Sequence, residues 1–505
     1  MQSVRKEVFR MSSSKKKNNA KGGLSDRFYT IIAIVIVVVL AASLITAVSQ
    51  NIVKSGRFFP AVKVGDDKVY PHEVNFYYIN SYMNFVQSYG DYLSWVGLDP
   101  SLPLKAQKHS EDKTWHDYFL EAATNSVHEI KALYREATLA GNTISEEHVQ
   151  QIDSDIASLE ASVEAQNMSL DYYLSSTYGK QMTLDEYKRI MTESYISQEY
   201  SLQRYNGFEY SDDDIMDYYQ SNKRNFDIVD YRSFFFSSAP EGTSPTQEEI
   251  DNAKTSAKSL AEIMLSAITD EQSFIKLSLQ NATDEQKSLY EDESYTLREG
   301  VPYSSTPNVD VGDWLFDSSR APGDTTMIET DSGYYVLYMK ARYRNDYNTV
   351  NVRHILIQFD LDEGATEATD EQKSAAKASA EAILSEWESG DKTESSFAEL
   401  AKEHSEDTGS IENGGLYENI SKGLMVKNFE DWCFDSSRSV GDTGIVETEY
   451  GYHVMYFVSH GRPYWKVQVE TEVRNNDFTD FTDETKDKYP LSRNSIGLMA
   501  VGLPG

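Results

Sequence analysis

The stretch WCFDSSRSVGDTGIVETEYGYHVMYF, residues 432–457, occurs in this chain a second time in similar form, as WLFDSSRAPGDTTMIETDSGYYVLYM at residues 314–339. The two stretches are identical at 15 of 26 positions aligned without a gap. Upstream in each copy, YRSFFF (231–236) aligns with VRHILI (352–357), which aligns Ser233 with His354, just as Tyr335 aligns with His453. The sequence therefore predicts one fold present twice, with the two histidines only in the second copy.

The order of patterns in each copy predicts an α+β unit of about 115 residues. An apolar run typical of a strand comes first, and a helix start of the form Thr-x-x-Glu/Gln follows at Thr246 and at Thr369. A second helix and a short helix lead to two closing strands, which are joined by turns containing Gly333 or Gly451. Residues 230–345 and 346–463 are the predicted domains, each a small antiparallel sheet with surrounding helices.

An uncharged apolar run near the N-terminus predicts a membrane anchor. Residues 28–48 carry no charge and are long enough to cross about 30 Å of hydrocarbon, so we expect a transmembrane helix over 28–49. Basic residues dominate segment 1–27, which places the N-terminus in the cytoplasm and the bulk of the chain outside. A cleaved signal peptide is the alternative, although its apolar region is usually shorter.

Two other regions flank the predicted repeats. Residues 58–229 contain few glycines and several helix starts, of which Thr183 and Ser211 are examples, so a mainly helical domain is expected there. Residues 464–505 are interpreted as a C-terminal tail, because their polar stretches show no sustained period.

Composition narrows the classes of function. The net charge of −34 argues against a nucleic-acid partner. A single cysteine, Cys433, excludes an intramolecular disulfide and a thiolate zinc cluster. Because Leu315 is aligned with it, Cys433 is expected to be a small buried residue.

Candidate site residues collect in the second copy. His354 and His453 lie on predicted strands and Asp407 lies in the loop HSEDTG, whereas Met425 and Phe429 are four residues apart, a spacing that places them on one face of a short helix. Two other interpretations of the polar residues remain open. The histidines could be satisfied core residues, or they could form a 2-His-1-carboxylate metal site with Asp407.

At these residues the sequence resembles the parvulin-type peptidyl-prolyl isomerases, and the whole chain resembles the PrsA-type and SurA-type foldases of the bacterial cell envelope. The motifs VRHILI, FAELAKEHSEDTGS, NGG and GDTGIVETEYGYHV carry the resemblance over residues 350–460. It implies four catalytic residues, His354, Asp407, Thr448 and His453, and a proline pocket formed by Tyr417, Met425 and Phe429. The family's Gly-Gly-x-Leu-Gly reads Gly-Gly-Leu-Tyr-Glu at 414–418, and Tyr450 replaces a frequent serine.

The resemblance implies a membrane-anchored extracytoplasmic foldase. Its second repeat would catalyse cis/trans isomerisation of Xaa-Pro bonds in unfolded or partly folded exported proteins, without a cofactor or a metal. The first repeat, which lacks the polar residues, is expected to be inactive, and the helical region 58–229 is expected to hold clients as a chaperone does. A chaperone that binds clients without catalysis is the alternative function.

Overall fold

The computed structural model describes residues 59–240, 246–362 and 364–503. The chain divides into two compact units, one made of residues up to 208 together with 477–505, and one made of residues 209–476. This division differs from the predicted domain 58–229, because residues 209–229 belong to the second unit.

The first unit consists of helices and one small sheet. In its antiparallel sheet, the strand Val62–Val64 lies between Asp67–Val69 and Leu491–Arg493, so the first described strand pairs with the last. The aromatic and aliphatic core lies between the helices and this sheet. Its elements are β1 Val62–Val64, β2 Asp67–Val69, α1 Pro71–Tyr89, α2 Trp115–Leu139, α3 Glu146–Glu164, α4 Leu170–Tyr178, α5 Leu184–Asn206, β11 Leu491–Arg493 and α16 Ser495–Leu498.

The second unit begins with two short helices and continues into two four-stranded antiparallel sheets. The first part contains α6 Asp212–Ser221, α7 Lys223–Phe226, β3 Asp227–Ser237, α8 Gln247–Ala267, α9 Glu271–Asn281, α10 Lys287–Tyr290, β4 Leu297–Pro302, α11 Val309–Leu315, β5 Thr325–Thr330 and β6 Gly333–Arg344. The second part contains β7 Asn348–Gln358, α12 Asp370–Ser389, α13 Glu394–His404, β8 Leu416–Ile420, α14 Lys427–Cys433, β9 Thr443–Glu447 and β10 Gly451–Pro463.

The two sheets have the same strand order, β4-β3-β6-β5 and β8-β7-β10-β9. Their registers also agree, since Ser233 pairs with Leu337 as His354 pairs with Met455. The predicted mixed α+β architecture with small antiparallel sheets is therefore confirmed for the described residues. Thr246 and Thr369 cap α8 and α12 in complete capping boxes, as their spacing predicted.

Three local predictions were wrong. Each sheet has a fourth strand at its edge, β4 in the first sheet and β8 in the second, where the sequence predicted none. Both strands are short and show no alternation of apolar residues. Helix α14 begins at Lys427, so Met425 precedes the helix and does not share a helical face with Phe429.

The third error concerns the C-terminal residues, which were expected to form a tail. Residues Tyr464–Lys488 form helix α15, which begins in the second unit and ends in the first. Within the second unit, Trp465 and Val469 are buried against α6 and α7. Their spacing of four is a helical period, which continues to Val473 and was overlooked among the polar residues.

The predicted membrane helix over residues 28–49 lies outside the described residues. Within 59–503, apart from the two short gaps, no helix has the length and apolar character needed to cross a membrane.

Gly415 fixes the start of β8 against β7. Its backbone has φ +72°, and its carbonyl accepts a hydrogen bond of 2.8 Å from the N–H of His354. A Cβ at this position would lie 2.1 Å from the carbonyl oxygen of His354. Only glycine meets both requirements.

We expect Gly415→Ala to destabilise the second repeat by at least about 1–3 kcal/mol, because the variant combines a strained backbone with a contact to rigid backbone atoms. Calorimetric unfolding of the full chain measures the change. Gly390→Ala is the matched control, since Gly390 has no positive φ and its Cβ would make only ordinary contacts. Equal unfolding temperatures for the two variants would contradict this account.

Candidate active site in the second repeat

The pairing of β7 with β10 brings the two histidines together. His354 pairs with Met455 and His453 pairs with Leu356, so the two imidazoles are diagonal neighbours on one face of the sheet. Their Nδ1 atoms are 3.1 Å apart, and both side chains are buried. The ring centroids are separated by 5.3 Å.

Asp407 contacts the far side of the His354 ring. Its Oδ2 lies 2.9 Å from His354 Nε2. The loop that carries Asp407 follows α13 and is fixed to β7, because Ser405 Oγ accepts from the N–H of Leu356 and the N–H of Glu406 donates to the carbonyl of Leu356. The carboxylate therefore has a defined position relative to the strand.

Thr448 closes the other end of this polar chain. It follows β9, and its Oγ1 lies 2.9 Å from Nε2 of His453. The backbone N–H of Tyr450 donates to the same hydroxyl oxygen, at 3.2 Å. The polar chain thus runs Thr448, His453, His354, Asp407, and hydrogen bonds join each member to the next.

Asp407, at one end of the polar chain, determines the direction of the hydrogen bonds. Ionised Asp407 only accepts, so Nε2 of His354 donates to it. When the His354 ring carries one proton, its Nδ1 accepts from Nδ1–H of His453. Nε2 of His453 then accepts from the hydroxyl of Thr448. All four groups are satisfied in this arrangement, as buried polar groups require.

Electrostatics support this assignment. Burial, together with the neighbouring His354, lowers the pKa of His453 to about 3, so that ring is neutral at neutral pH. The hydrogen bond from His354, followed by those from Ser410 and Tyr417, holds the pKa of Asp407 well below its usual range. Asp407 is thus an anion held by three side-chain donors at Oδ2 and by the backbone N–H of Gly409 at Oδ1.

Aromatic and apolar side chains border the polar chain. The ring of Phe429 stands edge-on to both imidazoles, with centroid distances of 5.5 Å to His354 and 5.3 Å to His453. Tyr417 stacks on His354 at 4.7 Å, and its hydroxyl donates to Asp407 Oδ2 at 2.8 Å. Met425 is half-buried and packs in the same apolar cluster. The structure therefore brings together all seven residues singled out from the sequence.

Ser410 is a polar residue that the sequence interpretation missed. It is almost fully buried; its hydroxyl donates to Asp407 Oδ2 and lies 3.2 Å from Nε2 of His354. Its place three residues after Asp407, within the quoted stretch HSEDTGS, was the available signal. Burial of a serine beside an ionised carboxylate is visible only once the loop is folded.

Cys433 is buried as expected. Burial raises the pKa of its thiol to about 12. This side chain packs with Phe429 and is not a reactive nucleophile.

The first repeat has a different set of side chains at the corresponding positions. Ser233 and Tyr335 replace the histidines, and the ring of Tyr335 packs on Phe235 at 4.6 Å. Arg298 pairs with β3 where Tyr417 pairs with β7. Three residues after the corresponding helix, the side chain of Asp284 is 97% exposed and pairs with Lys287. None of these residues forms a buried polar chain like that of the second repeat.

The geometry contradicts the metal-site alternative. Both ring nitrogens of His354 are used, one towards His453 and the other towards Asp407, so two imidazoles and the carboxylate do not converge on one point. Among the residues that the structure describes, no group of three or more His, Cys, Asp or Glu side chains is arranged to hold a metal ion.

Comparison with known proteins identifies the class of domain. Residues 335–459 match the family model described as the PPIC-type PPIase domain. The chain is 32% identical to foldase protein PrsA 1 of Listeria innocua over 120 residues, which are 24% of this chain and 34% of that protein. It is 29% identical to chaperone SurA of Pseudomonas putida over 180 residues, which are 35% of each protein. The chain thus spans about a third of the length of these relatives.

Among solved structures, the parvulin NmPin of Nitrosopumilus maritimus matches with 32% identity over 22% of this chain and 97% of that chain, at a TM-score of 0.16. The family match places a PPIC-type domain, the parvulin class of peptidyl-prolyl isomerase, in the second repeat of this chain. The predicted resemblance to parvulins and to PrsA and SurA foldases is confirmed.

The buried histidine predicts a loss of stability in mild acid. The unfolded chain takes up a proton on His453 below about pH 6.5, whereas the folded chain does so only near pH 3. Stability therefore falls as the pH decreases between these values. We expect the unfolding temperature to drop between pH 6.5 and 4.5 and to drop less in His453→Asn, as followed by calorimetry. Parallel curves for the two proteins would contradict the buried neutral state.

Proposed function

We propose that this chain is a membrane-anchored extracytoplasmic foldase that catalyses cis/trans isomerisation of Xaa-Pro bonds in exported proteins. The observation that carries the proposal is the buried polar chain from Thr448 to Asp407, bordered by aromatic and apolar side chains, within the PPIC-type domain. The matched relatives are named as a foldase and a chaperone, which supports a role in protein folding.

Rotation about a prolyl bond requires no covalent chemistry. The barrier of about 18–20 kcal/mol comes from amide resonance, which is lost when the bond twists. A site that binds the twisted amide better than the planar one accelerates the rotation, by about tenfold for each ~1.4 kcal/mol of preference. This chain needs only to hold the proline ring and to offer oriented dipoles to the rotating carbonyl.

The residues divide these roles according to their chemistry. Phe429, Met425 and the ring of Tyr417 provide apolar surface for the proline ring. His354 and His453 supply the oriented dipoles, and Asp407 and Thr448 fix their protons. Because Oδ2 of Asp407 already accepts three hydrogen bonds, we assign it a positioning role and no nucleophilic one.

The other parts of the chain serve this activity. We infer that the apolar run at 28–49 anchors the chain, and that the basic segment before it keeps the N-terminus in the cytoplasm. The sequence identity and common register of the two repeats support a duplication, after which the first repeat lost its polar residues. The helices of the first unit are proposed to hold unfolded clients.

A matched pair of variants tests the catalytic site. We expect His354→Ala to slow prolyl isomerisation of a Xaa-Pro peptide by at least about tenfold, because the variant interrupts the polar chain at its centre. Ser233→Ala, at the aligned position of the first repeat, should leave the rate unchanged. A protease-coupled peptide assay on the full chain measures both rates.

Two results would overturn the assignment. Equal rates for His354→Ala and the unaltered chain would reject the site. Absence of isomerisation by the unaltered chain, together with suppression of client aggregation, would support the non-catalytic chaperone.

The hydroxyl of Tyr417 gives a finer prediction. Tyr417→Phe keeps the ring and removes one of the three side-chain donors to Asp407, so we expect kcat to fall by about three- to tenfold with little change in KM. Tyr417→Ala removes the pocket wall as well and should raise KM. If both variants behaved alike, the hydrogen bond to Asp407 would have no separate role. Steady-state kinetics with the same peptide distinguish these outcomes.

A further inference from the structure

The first unit exposes several large apolar side chains. In the loop after α1, Trp95 is 86% exposed and Tyr92 is 66% exposed. Leu102, Met499 and Leu503 are also exposed, and the described chain starts at Phe59, which is itself exposed. We call these six residues the apolar strip.

Three members of the strip lie close together. Leu102, Met499 and Leu503 line the same cavity of about 760 Å³. The carbonyl of Pro60 lies against Gly497, where a Cβ would be only 2.1 Å away. Leu102, near the end of the loop that carries Trp95, therefore lies on the same side of this unit as the start and the end of the described chain.

The loop is held in a defined conformation. Leu93 and Leu98 are buried beneath it, and the indole N–H of Trp115 donates to the carbonyl of Gly97 at 3.0 Å. The side-chain amide of Gln107 donates to the carbonyls of Asp99 and Leu102, both at 2.9 Å. The exposure of Trp95 is thus fixed by the surrounding structure, and indole and phenol rings presented in this way are typical of surfaces at the membrane interface.

Chain length limits how far the strip can lie from a bilayer. This step rests on the proposed anchor over residues 28–49. Nine residues, 50–58, separate the anchor from Phe59, and even fully extended they reach at most about 32 Å. We propose that the apolar strip contacts the outer surface of the bilayer that holds the anchor, and that Trp95 and Tyr92 enter its interfacial layer. A chain with net charge −34 favours zwitterionic over anionic headgroups.

Quenching of Trp95 by lipid tests this contact. The full chain is reconstituted into phosphatidylcholine bilayers, with or without lipid brominated near the headgroup end of the acyl chain, and tryptophan emission is recorded. We expect brominated lipid to quench the unaltered chain and to leave Trp95→Phe largely unquenched. The combined change Leu102→Ser and Met499→Ser, which keeps the reporter, should reduce the quenching by about twofold or more.

Leu202→Ser is the control, because Leu202 is a 59% exposed apolar side chain on α5 that does not belong to the strip. Brominated lipid should quench the tryptophan emission of Leu202→Ser as strongly as that of the unaltered chain. Flotation of the bilayers reports the anchor independently. A chain that floats while Trp95 is not quenched overturns the strip proposal and leaves the anchor intact, whereas a chain that does not float overturns both. If the emission of Trp95 changed on addition of an unfolded protein and not on addition of lipid, the strip would be a binding surface for unfolded clients and the proposed membrane contact would be wrong.

Discussion

The hydrogen bond between the two imidazoles depends on the register of β7 against β10, and the rest of the site depends on that bond. His354 and His453 are diagonal neighbours only while His354 stays opposite Met455. A slip of one residue would turn one histidine to the other face of the sheet and break the polar chain. Gly415 strengthens the register from the other side of β7, because its carbonyl accepts from His354 and its missing Cβ allows the close approach.

Two buried imidazoles are costly unless each ring nitrogen has a partner. The second repeat meets this requirement with Thr448 at one end and Asp407 at the other. The first repeat keeps the same strand pairing and avoids the requirement, since Tyr335 packs on Phe235 in place of a histidine pair. Comparison of the two repeats therefore shows two separate requirements. The fold requires the strand register, whereas the site also requires a complete series of hydrogen-bond donors and acceptors.

The features recovered from the sequence were those that recur along the chain or between the copies. Alignment of the repeats placed the histidines on paired strands, and the threonine caps placed α8 and α12. Edge strand β8 was missed because its five residues have no apolar alternation, so its position comes from tertiary pairing. The start of α14 at Lys427 was missed because the spacing of Met425 and Phe429 also fits a turn that leads into a helix. Ser410 could not be assigned, because its role depends on a loop fold that brings it to Asp407.

Tyr417 shows why the pocket and the polar chain cannot be treated as separate parts. The related pattern has leucine here, a side chain that offers only apolar surface. In this chain the ring keeps that surface and stacks on His354, while the hydroxyl reaches the carboxylate of Asp407. Burial, together with this contact to Asp407, raises the pKa of Tyr417 to about 12, so the phenol stays a donor throughout the neutral range. A substrate that displaced the Tyr417 ring would also displace the hydroxyl that donates to Asp407. Through Asp407, it would change the orientation of His354. In the proposed mechanism, this departure from the family pattern links the surface offered to the proline ring with the dipoles offered to the rotating bond.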